Sequence, residues 1–218
     1  MLMESAFEPG LRRVAVQIET PGFARLLGGV LDLWGYEVVS EATAAGLLLV
    51  EQGGGEGEEL AVLRLNGASG CTRLALPLAL EALWGELEQR FHHPARQHIR
   101  VALSLAVGVV GRHRYAEATL QSLSDMGGRL LYPRELVREE GLLLRIPIDH
   151  QVFELSGKVI YCIPRGTGAE FEVGIMFQAV GGEVRRLLRQ YIGRQVLGGA
   201  LAKAGVGADA GLAMFRPY

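Results

Sequence analysis

The chain has almost no cysteine. Cys71 and Cys162 are its only two thiols in 218 residues, too few for a disulfide framework and too far apart for a metal signature. Reduced thiols in a cytoplasmic protein are the expectation. No run reaches the roughly 18 consecutive apolar residues that a membrane span needs. The start, Met1-Leu-Met-Glu-Ser, lacks the basic flank and apolar core of a signal peptide, so membrane insertion is not expected. Enzyme signatures are missing as well: there is no nucleophile elbow, HExxH, paired CxxC or Walker sequence. Nothing assembles a nucleophile, a base and an oxyanion site, and no enzyme is expected. A net charge of −2 argues against binding nucleic acid polymers.

What is present describes a folded protein. Apolar residues make up 49% and charged residues 21%, which excludes a disordered, collagenous or coiled-coil chain. The charge is divided unevenly. Residues 1–90 carry 6 Arg and 13 acids, whereas residues 91–218 carry 16 basic groups and 11 acids. Such a step suggests two units, with an anionic ligand favouring the second. Arg outnumbers Lys 20 to 2, so nearly every cation is a planar, bidentate donor.

The first 91 residues suggest a small α/β layer. Residues 12–19 read as a strand with Val14, Val16 and Ile18 on one face. Pro21 and Gly22 interrupt, and Phe23, Leu26, Leu27, Val30, Leu31 and Trp34 then mark one face of a helix over 22–34. Gly35 stands where a helix ends on a left-handed residue. Residues 36–39 read as a second strand. The apolar run 46–50 fits a strand covered on both faces. Gly53-Gly-Gly-Glu-Gly57 lacks the Lys-Ser/Thr ending of a phosphate loop and is flanked by acids, so it reads as an acidic loop. Residues 60–65 and 74–76 add strands. Leu80, Leu83, Trp84, Leu87 and Phe91 mark a second amphipathic helix, with acids on its other face.

The texture changes at about residue 92. From Ile99 to Val109 the odd positions are apolar, a long period-2 strand. Alternating segments follow at 116–123, 142–148, 152–163 and 170–177, separated by turn residues, which argues an antiparallel barrel or sandwich. Val184, Leu187, Leu188, Tyr191 and Ile192 form a helical stripe opposite Arg185, Arg186, Arg189 and Arg194. The Gly- and Ala-rich tail, 198–218, is expected to be weakly packed or to cover a neighbouring surface.

Two short motifs carry chemistry. Arg96-Gln-His-Ile-Arg100 precedes the long strand, and two guanidinium forks four residues apart at a linker suit phosphate oxygens and the O6/N7 edge of guanine. Ser122-Leu-Ser124-Asp-Met-Gly127-Gly128 ends the next strand. It offers two hydroxyls, backbone N–H groups, and two glycines that let a ligand approach the main chain. Read alone, the first is a spacing that chance supplies in an Arg-rich chain, and the second a polar turn. His92, His93 and His98 match no metal-ligand spacing and read as surface histidines at a domain junction.

In this order, and followed by this strand pattern, the motifs over residues 92–194 resemble the PilZ family. That family has RxxxR at a linker and (D/N)xSxxG after the second strand of a six-stranded barrel. Gly127–Leu131, Gly141 before Leu142–Leu144, Gly157-Lys-Val159 and Phe171–Phe177 before a helix add to the resemblance. It implies a receptor for the bacterial second messenger cyclic di-GMP. Arg96 and Arg100 would hold guanine edges and phosphates, with Ser122, Ser124, Gly127 and Gly128 contacting the ligand from the second motif. Ser122 departs from the family's Asp or Asn. One lost hydrogen bond to a charged acceptor costs roughly 1.5–3 kcal/mol. Asp125, three residues on, is not expected to substitute. The alternative is a barrel of this fold that binds no nucleotide and serves as an interaction scaffold in pilus or flagellar assembly.

The N-terminal layer resembles a shortened response-regulator receiver domain. Where that family has an acidic pair, a phosphorylated Asp, a Ser/Thr and a Lys, this chain has Glu19-Thr20, Glu51, Asn66 or a neighbour, and Leu76-Pro77. A pseudo-receiver without phosphorylation or a Mg²⁺ site is implied, and Glu51 is read as a loop carboxylate. The expected architecture is therefore α+β in two domains. Residues 1–91 form the receiver-like layer, 92–100 the linker, 101–197 an antiparallel six-stranded barrel with a C-terminal helix, and 198–218 a tail. The expected function is a bacterial effector that turns cyclic di-GMP binding into altered interdomain or partner contacts, regulating motility, attachment or exopolysaccharide. A protein partner and a homodimer are both open.

Overall fold

Pro21 opens the first helix rather than interrupting it. Its fixed φ suits the first helical turn, where a missing N–H costs nothing. In this computed structural model, which describes residues 12–52, 59–64, 70–111, 115–166 and 170–216, the helix α1 spans Pro21–Leu33. It buries Phe23, Leu26, Leu27, Val30 and Leu31 and ends before Gly35, whose φ is +80°. The acidic glycine loop and Asn66 lie outside the described residues.

The chain divides into two units. Unit 1 comprises residues 1–97 and 194–218, and unit 2 comprises residues 98–193. Unit 1 is built on a five-stranded sheet. Its strands are β1 (Arg13–Gln17), β2 (Glu37–Val39), β3 (Leu47–Gln52), β4 (Glu59–Arg64) and β5 (Cys71–Ala75), in the order β2-β1-β3-β4-β5. β1 runs parallel to β2 and to β3, but β4 is antiparallel to β3 and β5 to β4. Only half of the layer is therefore parallel, unlike the wholly parallel sheet of a receiver. The reason is chain length: residues 53–58 and 65–70 are too few for the crossover of a dozen or more residues that a parallel pair needs. β3 still buries Leu47, Leu48 and Leu49.

The helix α2 (Leu80–Phe91) buries Leu80, Leu83, Trp84, Leu87 and Phe91, and also Glu88. Its acids are therefore not all on the far face. The ring of Trp84 meets that of Trp34 edge-on, centroids 5.1 Å apart, and Tyr36 tilts against Phe91. Just before α2, β6 (Leu78–Ala79) pairs in parallel with β13 (Phe215–Arg216) from the end of the chain.

Unit 2 is a closed antiparallel barrel. It is formed by β7 (Val101–Val110), β8 (Tyr115–Ser124), β9 (Gly127–Tyr132), β10 (Gly141–Ile148), β11 (Gln151–Arg165) and β12 (Glu170–Phe177), in the order β10-β11-β12-β9-β8-β7. Closure removes free strand edges. Alternation sends Val107, Val109, Leu120, Leu130, Leu144, Ile146, Val159, Val173 and Ile175 into the core.

The stripe at 184–192 belongs to a longer helix, α3 (Gly182–Ala204), followed by α4 (Ala208–Met214). Of the two outcomes expected for the tail, 198–218, close packing is the one seen among its described residues: Ala200 and Phe215 are buried. Its small residues allow close approach. A Cβ on Gly29 of α1 would come within 3.0 Å of the Ala200 carbonyl oxygen, and one on Gly199 within 3.1 Å of Leu33. No described helix is long and apolar enough to cross a membrane.

Candidate ligand-binding site

The second motif is part of the barrel wall. Ser122 and Ser124 close β8, and Gly127 and Gly128 open β9. Ser124 is buried, and its hydroxyl is spent on the turn: Oγ donates to the Gly127 carbonyl at 3.1 Å and accepts from the Met126 N–H at 3.3 Å. A Cβ on Gly127 would lie 2.2 Å from the Ile175 carbonyl oxygen, and one on Gly128 would lie 2.9 Å from that of Ser122. Both glycines therefore meet a demand of the barrel's own backbone, whatever else approaches them.

Ser122 is half-buried and sits in a row of cross-strand partners. Ladder pairs connect Ala102 to Ser122, Ser122 to Arg129, Arg129 to Gly174 and Gly174 to Tyr161. Directly opposed residues share a face of the sheet, and Arg129 and Tyr161 are exposed, so the row crosses the outside of the barrel. Gly174 keeps it flat, since a Cβ there would strike the Tyr161 ring at 2.2 Å. The Tyr161 hydroxyl donates to Glu172 Oε1 at 3.2 Å, and Arg129 Nη1 lies 3.8 Å from Glu172 Oε2. Burial and the Glu172 charge raise the Tyr161 pKa, while the charges of Arg129 and Arg100 act against that rise. The row thus adds a cation, an aromatic face and a carboxylate beside Ser122. No sequence spacing points to them, because they align only when strands far apart in the chain close the barrel.

The two motif arginines stand on opposite sides of the division at Gln97/His98. Both are exposed. Arg96 belongs to unit 1, where α2 grips its peptide: Trp84 Nε1 donates to the Arg96 carbonyl at 3.2 Å, and the Arg96 N–H donates to Glu88 Oε2 at 3.1 Å. The guanidinium is left out of those bonds. Arg100 belongs to unit 2, directly ahead of β7.

Glu88 is only 1% exposed and is shared. Oε1 accepts from the Tyr36 hydroxyl at 3.2 Å and faces His92 Nε2 at 3.4 Å. Burial raises the Glu88 pKa, against the hydrogen bond from Arg96. Burial also raises that of Tyr36, with Glu88 adding to it. His92 is lowered to about 4, first by burial and then by the charges of Arg12 and Arg96. It is therefore a buried, neutral imidazole and not a surface histidine. His98 differs too: its Nδ1 lies 2.8 Å from Asp125 Oδ1.

Glu51 lies in β3, not in a loop, and its carboxylate accepts from the Thr20 N–H at 2.9 Å and the Thr20 hydroxyl at 2.8 Å. It secures the entry to α1, where a negative charge is favoured.

Comparison with known proteins finds a family model that matches part of the chain. The PilZ domain model matches residues 94–194. No curated protein matches. Among solved structures, the chain is similar to the Bacillus subtilis inhibitor of motility MotI/DgrA, at 14% identity and a TM-score of 0.43. That match covers 69% of this chain and 64% of the other, so just under two thirds of MotI has a counterpart here. The PilZ domain of YcgR from Escherichia coli, solved with c-di-GMP, gives 20% identity and a TM-score of 0.42 over 50% of this chain and 97% of that one. The MrkH–c-di-GMP complex of K. pneumonia gives 12% identity and a TM-score of 0.40 over 67% and 74%.

Proposed function

We propose that residues 94–194, which the PilZ domain model matches, are a PilZ domain and that this protein is a cyclic di-GMP effector. The observation that carries the reading is the outer-face row of Ser122, Arg129, Gly174 and Tyr161, with the exposed Arg100 near enough for its charge to act on Tyr161. Arg96 and Arg100 supply the cations for phosphate and for guanine O6 and N7; adenine, with an N6 donor in place of O6, fits such forks less well. Ser122, Ser124, Gly127 and Gly128 shape the wall that the ligand meets. Ser124 contributes through the turn that it holds, since its hydroxyl is already engaged. Occupancy then alters contacts with a partner protein, in motility, attachment or exopolysaccharide production.

Calorimetry at fixed salt tests this, with cyclic di-AMP as the control. Saturable binding of cyclic di-GMP is expected. An Arg96→Ala/Arg100→Ala variant that stays folded should lose roughly a hundredfold or more in affinity, as two charge-assisted contacts disappear. Unchanged affinity in that variant would refute the site.

A second reading has an observation in its favour. Because Gly127 and Gly128 are demanded by barrel packing, the motif is compatible with a scaffold that binds no nucleotide. A melting temperature indifferent to cyclic di-GMP would support the scaffold.

A further inference from the structure

Asp125 sits in the turn between β8 and β9 and is only 3% exposed. A buried carboxylate is costly unless its oxygens are paired. Here both are. Oδ1 lies 2.8 Å from His98 Nδ1, and Oδ2 accepts from Arg189 Nε at 2.8 Å. These groups come from three segments of unit 2. His98 stands between Arg96 and Arg100, Asp125 between Ser124 and Gly127, and Arg189 on the first half of α3. The Ser124 hydroxyl braces the turn that presents the carboxylate.

We propose that Asp125 is a positioning residue for ligand binding. Acting through His98, it clasps the strand entry His98–Arg100 to the barrel and so fixes where Arg100 is presented. Asp125 itself touches no ligand. Arg189 balances its charge and ties the same carboxylate to α3. This inference rests on the cyclic di-GMP reading above. It also explains how an exposed, arginine-rich stretch is ordered before any anion arrives, which lowers the entropic cost of binding.

A double-mutant cycle on the full chain tests it, with two readouts. One is affinity for cyclic di-GMP by calorimetry. The other is the rate of trypsin cleavage after Arg96 and Arg100 without nucleotide. Asp125→Asn and His98→Ala should each weaken binding roughly ten- to hundredfold, the worth of a charge-assisted hydrogen bond. Adding Asp125→Asn to His98→Ala should cost nothing more, because the residue acts through that imidazole. His98→Asn keeps an N–H donor near the Nδ1 position and should stay within roughly threefold of wild type, less than one hydrogen bond is worth. Cleavage should quicken in the variants that weaken binding and in no other.

A purely structural role would lower the melting temperature without this pattern. Additive losses of affinity, or unchanged cleavage in His98→Ala, would overturn the clasp. Should Asp125→Asn fail to fold, the contrast between His98→Ala and His98→Asn decides alone. If the wild-type chain binds no cyclic di-GMP, the functional reading falls, and the cleavage rates still confirm or refute the clasp.

Discussion

At the scale of single residues, the interior of unit 1 holds a titratable pair with opposed tendencies. His92 has its pKa lowered to about 4 from the ordinary 6.5, so the folded state keeps it neutral where the unfolded chain takes up a proton. Stability from this group is complete above pH 6.5 and is lost as the pH falls towards 4, by up to about 3 kcal/mol. Glu88, with its pKa raised, works in the opposite sense: the folded state holds its proton more tightly, so stability falls as pH rises through the raised value. His92→Phe should therefore lose less stability than wild type between pH 7 and pH 5 in denaturant titrations. An unaltered pH slope would mean that His92 does not stay neutral. The candidate site is legible in the sequence where spacing carries it. RxxxR and SxSxxG are local patterns, so Arg96, Arg100 and Ser122 stood out. Arg129, Gly174 and Tyr161 did not, since their alignment with Ser122 comes from ladder register. No spacing singles out the clasp at Asp125, because its partners lie 27 residues before it and 64 after it.

At the scale of elements, period-2 segments announced most of the barrel, because its strands bury one face and wet the other. The first three strands of unit 1 and the helices α1 and α2 were equally plain. Strand direction was not, for hydrophobic pattern is blind to it and only connection length decides. The tail's composition left two outcomes open. Gly and Ala suit loose packing or close cover of a neighbour, and α3 uses Gly199 and Ala200 to lie close against α1. The final strand is anchored by Phe215, wholly buried, with its ring edge-on to Phe23 at 5.7 Å. Phe215→Ala should cost about 3–5 kcal/mol and lower the unfolding midpoint of unit 1 by roughly 10 °C. Val137→Ala, at a residue 73% exposed, is the matched control and should leave it in place. Equal melting of the two variants would show that β13 contributes no packing.

At the scale of the whole molecule, unit 1 is discontinuous. The chain leaves it after Gln97 and re-enters at Arg194. Both tryptophans, Trp34 and Trp84, belong to this unit, so their fluorescence reports it without interference from the barrel. A chain ended after Gly193 should keep its β-sheet circular dichroism, while tryptophan emission moves to the red as the uncapped core admits water. Emission unchanged from the full chain would mean that residues 1–97 fold without the returning segment. The pairing of β6 with β13 adds a matter of timing. Arg216 donates to the Pro77 carbonyl across 139 residues, so during synthesis residues 78–79 wait for residues 215–216 to emerge. The barrel can close while translation continues, because all of its strands precede Gly193. Unit 1 stays unsealed, its helices offered to chaperones, until residues 194–216 have been made.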